Sequence, residues 1–521
     1  MGWDILDCTF RDGGYYTDWD FDHKLVDEYL STLSDLPVQY IELGYRNPLQ
    51  PGFAGEFYYV SSRLLDRAAK SGFGQAQICL MLDSKLLDKV KLDKLLAPCS
   101  DNLGVIRLAV QPSEVNNSLK YAEIIKSLGY TVGMNLMYMH DQDMINSAVN
   151  IISMQSELVD WVTLVDSFGC CYPEQVYSGI AAIRNELPNK IGFHGHDNIQ
   201  LAFANALAAI DAGAEIIDGT ILGMGRGAGN LKTELLLAYR DGQLEDKLDL
   251  TSLGDFLEFF KKELNHYDWG TSLPYMISGI ESLPQKKVMQ LIGMRRYSTA
   301  SIIKKIRREV IYGDPEIHDD FYELSKIVQS DKPCMILGGG ASVIRHLDAI
   351  KEFAEISELV IIHASLKNMS LFCDLNVKQY SCLPGDEYRY LTKQKKSALE
   401  KILGFVVTKE TVDEAVYRLH EHKRIFLLES KDRLFETIDS ESPLELALST
   451  ACKITNTKTF YFCGFDGYEN DILARDIEIE TQTIITELIK QKADCSFISL
   501  TPTSYDLVTQ SVYGLLEEIL G

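Results

Sequence analysis

Residues 161–196 read WVTLVDSFGCCYPEQVYSGIAAIRNELPNKIGFHGH. The run Trp161–Phe168 is apolar and β-rich, Ile191–His196 is its counterpart, and a helical segment lies between them. That is one strand–helix unit followed by the next strand. Working outward, the rhythm recurs at Trp3–Phe10, Val38–Tyr45, Ala76–Leu82, Val105–Val110, Val132–Tyr138 and Glu215–Gly223. Segments of helical periodicity such as Lys24–Ser34, Ser118–Leu128 and Ile199–Ala212 separate them. Eight strand–helix units in about 230 residues is the count of a TIM barrel. An open doubly wound sheet usually has only about five or six strands.

Beyond the barrel, residues 231–328 read mostly helical, through Leu231–Tyr239, Leu253–Asn265 and Ser301–Val310. A second strand rhythm starts at Cys334–Leu337. It continues through Leu359–Ala364, Lys378–Leu383, Gly404–Val407, Arg424–Leu428, Thr459–Cys463 and Cys495–Leu500. The expected organisation is a barrel over 1–230, a helical extension over 231–328, and an open-sheet, Rossmann-like α/β domain over 329–521. In that last domain, Met335–Ser342 runs from a strand into glycines and then a helix, and Tyr461–Tyr468 is a second strand exit that carries an acid. The two ends could face one crevice, and such a helix start could take a phosphate or nucleotide.

The chain of 521 residues carries 51 Lys+Arg against 75 Asp+Glu, a net of −24. That balance argues against a nucleic-acid or membrane-surface binder, since phosphate contacts need Lys/Arg clusters. It leaves small anionic substrates open, because a local pocket can oppose the global field. No apolar run approaches the roughly 20 residues of a membrane span. The start Met1-Gly2-Trp3-Asp4 lacks a basic and an apolar leader region. The 11 cysteines are odd in number and form no C-x-x-C pair, which fits reduced thiols in a cytoplasmic protein.

Chemistry-bearing residues gather at strand ends. As a strand, Asp7, Thr9 and Arg11 share one face, Asp12 sits at the C-terminal tip, and Gly13-Gly14 permits a turn. His194 and His196, at i and i+2, share a face at the end of the seventh strand and can coordinate one cation. After strand eight, the glycines of Gly223–Asn230 let the backbone approach the site, so that Asn230 can add an amide oxygen. Asp12, His194, His196 and Asn230 form a mixed N/O donor set suited to Mn²⁺, Mg²⁺, Co²⁺ or Zn²⁺. A divalent cation with open positions is a Lewis acid, and a 2-oxo acid can chelate it through carboxylate and ketone oxygens. Arg11 could add positive charge at the resulting enolate oxygen.

Three ordered motifs, D-x-T-x-R-D-G (Asp7–Gly13), H-x-H-x-N (His194–Asn198) and G-x-G-x-x-A-G-N (Gly223–Asn230), resemble the DRE-TIM metallolyase superfamily over about residues 1–290. The resemblance implies that Asp12, His194 and His196 bind the metal and that Asn230 matches a ligand of some members. It makes Arg11 the enolate-stabilising arginine. Glu42 matches an acidic position of the second strand, and Asp166-Ser167 matches a segment after the sixth, on the substrate side. Tyr15 stands where 4-hydroxy-2-oxovalerate aldolases carry a histidine acid/base, and it either moves the proton or lines the pocket. Arg226 and Gly227 occupy the stretch where the acyl-CoA lyases have a cysteine, which points away from that branch, and Arg226 is expected at the barrel mouth as a substrate-binding residue.

The implied activity is a divalent-metal-dependent aldolase, forming or cleaving a C–C bond through the enolate of a 2-oxo acid. The expected partners are pyruvate and an aldehyde, in a homo-oligomer such as a dimer. Two other readings stay open. One is a Claisen-type synthase using an acyl-CoA. The other is a metal-holding barrel used for binding or assembly, with the C-terminal domain carrying a nucleotide or partner.

Overall fold

Eight parallel strands close into a barrel in chain order. They are β1 Asp4–Asp7, β2 Tyr40–Tyr45, β3 Gln77–Asp83, β4 Leu103–Val110, β5 Thr131–Leu136, β6 Trp161–Asp166, β7 Lys190–Gly195 and β8 Ile216–Gly219. β1 pairs with both β2 and β8, which completes the closure. This computed structural model describes residues 2–89, 92–96, 103–283, 285–312, 321–408, 419, 424–435, 441–468 and 475–520.

Successive side chains of a strand point to opposite faces, so every second residue enters the barrel. The lowest interior layer is apolar and contains Leu6, Cys79, Val105, Trp161 and Ile216. Two residues further along the strands come Arg107 on β4 and Asp218 on β8, both buried. The outward faces pack against the surrounding helices, among them His23–Ser34, Val115–Ser127 and Ala202–Asp211, in one large apolar cluster.

The first strand is shorter than its apolar run suggests. It stops at Asp7, and Thr9–Thr17 is a helix. The Asp7 carboxylate ends the strand by accepting the Thr9 N–H at 2.9 Å and the Thr9 hydroxyl at 2.6 Å. The Asp12 N–H then donates to the Cys8 carbonyl at 3.0 Å, the first helical bond. Arg11 and Asp12 therefore stand in the first turns of a helix and not on a strand face. Gly13 and Gly14 make no turn. They admit neighbours: a Cβ on Gly14 would lie 2.1 Å from the Trp19 indole, and one on Gly13 would lie 2.8 Å from the Met224 sulfur.

The chain divides into two compact units, Met1–Gly293 and Met294–Gly521. Helices Thr233–Gln243, Thr251–Glu263, Leu273–Ile280 and Gln285–Gly293 complete the first unit. The division thus falls inside the span 231–328 that the periodicity reads as one helical extension. Helix Thr299–Tyr312 and strand β9 (Tyr322–Glu323) lie in the second unit.

The second unit is a nine-stranded, wholly parallel sheet. After β9 come β10 Cys334–Leu337, β11 Val360–His363, β12 Gln379–Cys382, β13 Ile402–Val407, β14 Ile425–Leu427, β15 Thr459–Cys463, β16 Ser496–Ser499 and β17 Val508–Thr509. The order is β17-β16-β15-β10-β11-β12-β13-β14-β9. All seven strands read from the sequence are present. The two additional ones are two-residue edge pairings, too short to leave a pattern.

The chain reverses its winding between β10 and β15, the position at which open α/β sheets bind ligands. Here the two strand exits hold each other. The Gly340 N–H donates to the Gly464 carbonyl at 2.9 Å, and a Cβ on Gly338 would lie 2.5 Å from that same oxygen. The Asp466 carboxylate accepts the Ser342 N–H at 2.9 Å and the Ser342 hydroxyl. It therefore occupies two of the donors at the helix start that an incoming phosphate would also use. A separate cleft of about 450 Å³ in the same unit is lined by Arg296, Tyr297, Asp386, Arg389, Tyr390 and Lys393, among others. Among the described residues, no helix is long and apolar enough to cross a membrane, and the ten described cysteines are free thiols.

Candidate active site at the barrel mouth

A charged layer crosses the barrel interior above its apolar floor. Arg107 is fully buried and reaches across the barrel to strands β2, β5 and β8. Its Nη2 donates to Asp218 Oδ2 at 2.7 Å, its Nη1 to Glu42 Oε1 at 3.3 Å, and its Nε to Asn135 Oδ1 at 3.1 Å. Glu42 in turn accepts from Arg11 Nε at 2.8 Å. Both Glu42 oxygens are thus engaged by arginines, and one of them holds Arg11 Nε in place. The Arg11 guanidinium also binds Asp12 through Nη1.

Above this layer Asp12 faces His194 and Asn230. Asp12 Oδ2 accepts from Asn230 Nδ2 at 2.7 Å and lies 3.4 Å from His194 Nε2. Burial pushes the Asp12 carboxyl up, but Arg11 and the two histidines outweigh it and hold it below the usual range. Asp218 behaves alike: burial is opposed by Arg107 and His194, and it stays ionised. A carboxylate only accepts, so the His194 Nδ1 that lies 3.0 Å from Asp218 carries the hydrogen. His194 Nε2 is the ring nitrogen turned toward Asp12.

The same logic fixes His196. Its Nδ1 lies 2.7 Å from the Asp166 carbonyl oxygen, which can only accept, so Nε2 presents a lone pair. Burial, then His194 and Arg226, lower its pKa to about 3, so the imidazole is neutral at physiological pH. The two rings are 5.0 Å apart between centroids. His196 also forms an antiparallel bridge with Asn230.

Asn230 Oδ1 is buried and has no hydrogen-bond partner. Leaving a buried amide oxygen unmatched costs on the order of 1–3 kcal/mol. The Asp12 carboxylate therefore stands beside His194 and the Asn230 amide, the His196 ring lies 5.0 Å from that of His194, and each imidazole is held from behind by an acceptor. Carboxylate, imidazole and amide oxygen are donor types that a divalent cation takes, and ligating imidazoles are commonly held from behind in this way. Cys8, His194 and Asp218 also cluster within 4.8 Å. There, burial pushes the Cys8 thiol up, and Asp218 is already engaged by Arg107 and His194.

Glycines let the Gly223–Asn230 loop close on the site. A Cβ on Gly225 would lie 2.2 Å from Asn230 Nδ2, while Gly223, Gly227 and Gly229 have φ of +67°, +68° and +83°, where side chains are strained. Tyr16 Oη donates to the Gly227 carbonyl at 2.9 Å and ties the loop to the helix that carries Asp12. On the solvent side, the Tyr15 ring lies 5.7 Å from the Arg226 guanidinium, and Tyr15 Oη is 3.4 Å from Tyr45 Oη. Trp19 packs edge-on against Tyr15, Tyr45 and Tyr58, which makes one wall of the mouth aromatic.

Asp166 and Ser167 are buried and turned to the backbone. The Asp166 carboxylate accepts the N–H groups of Cys170 and Cys171, each at 3.1 Å, and Ser167 Oγ accepts the Tyr138 N–H at 2.9 Å. They shape the loop after β6 and, through the Asp166 carbonyl, orient His196. The pattern reading passed over Arg107, Asp218, Asn135 and Thr163. Its available signal was a lone arginine in the apolar run Val105–Val110 and a lone aspartate in Ile216–Gly219, since charges within such strands must be paired inside.

The family model described as HMGL-like matches residues 3–259. The chain is 31% identical over 267 residues to a 4-hydroxy-2-oxovalerate aldolase of Thermomicrobium roseum, covering 50% of this chain and 74% of that one. It is 30% identical over 309 residues to an oxaloacetate decarboxylase of Mycobacterium tuberculosis, covering 58% and 90%. The N-terminal domain of a candidate aldolase from Bacteroides vulgatus superposes with a TM-score of 0.54 at 40% identity, covering 58% of this chain and 99% of that domain.

Proposed function

The chain belongs to the HMGL-like family of DRE-TIM metallolyases, and from that premise we propose that its barrel is a divalent-metal-dependent aldolase that makes or breaks a C–C bond through the enolate of a 2-oxo acid, with pyruvate as donor. The observation that supports this reading is Asp12 held between Arg11, His194 Nε2 and the Asn230 amide, with the His196 ring 5.0 Å from His194 and Asn230 Oδ1 buried without a partner. Those four side chains would hold the cation. Mn²⁺ or Mg²⁺ suits the mixed set, with Co²⁺ and Zn²⁺ as alternatives. When bound, the cation supplies Lewis acidity toward the ketone oxygen.

The protein groups supply the rest. Arg11 is fixed by Glu42 and Asp12 through Nε and Nη1, which leaves Nη2 to donate to the oxygen that becomes negative. The brace through Arg107 keeps that guanidinium from swinging. Tyr15 Oη, at the edge of the mouth beside Tyr45, carries the proton to and from the acceptor hydroxyl. The aromatic wall of Trp19, Tyr45 and Tyr58 limits water at the carbanion. The oxaloacetate decarboxylase relative favours a second reading of the same site, loss of CO₂ from a 2-oxo diacid, which needs the same enolate. A homodimer and a reducing, cytoplasmic setting complete the proposal, the latter supported by the free thiols.

The test is proton exchange at pyruvate C3 in deuterated water with Mn²⁺. Wild type should exchange and His194→Ala should not. Absence of exchange in the wild type overturns the reading. Tyr15→Phe should lower aldol turnover about 10²–10⁴-fold with metal content retained, and normal turnover removes Tyr15 from the role.

A further inference from the structure

Arg226 stands apart from the other cations of the site. Arg11 is matched by Asp12 and Glu42, and Arg107 by Glu42 and Asp218. Among the described residues, no acidic group pairs with Arg226, and its Nε is buried without a hydrogen-bond partner. The side chain is half-buried at the mouth, between the Tyr15 ring and the metal-site loop. Its backbone is held in place: Gly225 abuts the Asn230 amide, and the Gly227 carbonyl is bound by Tyr16. A guanidinium partly removed from water, with no anion beside it, is a costly arrangement that a ligand anion relieves.

We infer that Arg226 reads a carboxylate or phosphate on the acceptor, so that the aldehyde partner of this aldolase is an anionic one. The inference rests on the aldolase reading above and narrows its substrate class. The donor's own carboxylate has other partners in that reading, since a 2-oxo acid chelates the cation through it. The second negative charge therefore belongs to the other substrate. Arg226 offers the planar donor fork that matches carboxylate and phosphate oxygens. The guanidinium overlies the Tyr15 ring at 5.7 Å, which keeps it at the mouth beside the proposed proton carrier.

The experiment uses the full chain with Mn²⁺ and pyruvate and compares kcat/KM for paired aldehydes. Glyoxylate and succinic semialdehyde are set against acetaldehyde and butanal, and glyceraldehyde 3-phosphate against glyceraldehyde. The charged member of at least one pair should be favoured about tenfold or more, and the pair that shows it identifies carboxylate or phosphate. Arg226→Gln should collapse that ratio, and Arg226→Lys should restore part of it. Calorimetric binding of unreactive succinate or 3-phosphoglycerate to the pyruvate-loaded protein should weaken about tenfold in Arg226→Gln. Equal kcat/KM within every pair, in a wild type that does exchange pyruvate C3 protons, overturns the inference and leaves the aldolase reading standing. A rise in pyruvate KM in Arg226→Gln at an unchanged charged-to-neutral ratio also overturns it, because the arginine then serves the donor. Failure of pyruvate exchange in the wild type removes the aldolase reading itself.

Discussion

Arg107 is the side chain on which both halves of the candidate site lean. It bridges Glu42, which holds Arg11, and Asp218, which holds His194. Arg107→Met leaves two buried carboxylates short of a partner, and breaking such a pair costs roughly 3–5 kcal/mol. Urea denaturation should register that loss, and calorimetry should show weaker Mn²⁺ binding, with Arg107→Lys intermediate in both. An unchanged denaturation midpoint and metal affinity would refute the brace. A second residue-scale expectation concerns His363 on β11. Burial lowers its pKa to about 4, against the opposing effect of its hydrogen bond to Gln379, and its Nδ1 has no partner. The folded value lies below the unfolded value of about 6.5, so protonation favours the unfolded chain. The neutral ring's contribution is whole above about pH 6.5 and fades as pH falls toward 4, by on the order of 3 kcal/mol. Denaturation of the full chain between pH 7 and 4.5 should show a shallower decline for His363→Leu than for wild type. At this scale the sequence was partly legible. Asp12, His194, His196 and Asn230 carry motif spacing. Arg107 and Asp218 carry none, because their meaning lies in pairing across the barrel.

Among the elements, the helix Thr9–Thr17 differs most from its sequence reading. The residues Cys8-Thr9-Phe10 favour a strand locally, yet the Asp7 carboxylate captures Thr9 and the helix begins. Asp7 is itself tied to Tyr29, to Thr233 and, through Thr9, to the Ile221 N–H, contacts spread from residue 9 to residue 233. A local window cannot contain them. Gly14 is the sensitive point of this element, because the Trp19 indole lies where a Cβ would go and Trp19 Nε1 donates to the Arg11 carbonyl at 2.9 Å. Gly14→Ala should cost about 1–3 kcal/mol by overpacking and shift the tryptophan emission, with Arg11 disturbed in consequence. Wild-type stability and emission in that variant would show that the indole yields freely.

For the whole molecule, the four tryptophans (Trp3, Trp19, Trp161 and Trp269) all lie in the first unit. Tryptophan fluorescence therefore follows the barrel alone. Mn²⁺ at about 100 times its Kd should stabilise that transition by about 2.7 kcal/mol, and Asp12→Asn should abolish the shift. A melting curve indifferent to Mn²⁺ in the wild type would contradict the donor set. The sequence by itself determined the eight-strand rhythm, the second strand rhythm after Cys334, and the metal-site motifs. Each depends on period or spacing within a short window, and backbone pleating imposes that period directly. Only the tertiary structure decided where the units divide, that Asp466 binds the helix start of the glycine crevice, that Glu42 and Asp166 support neighbours, and that Arg226, unlike Arg11 and Arg107, has no acidic partner among the described residues. Those depend on which groups come within about 3 Å of one another across a closed barrel or a switch point. Closure brings residue 12 to residue 230 and residue 107 to residue 218, and no local pattern encodes that distance.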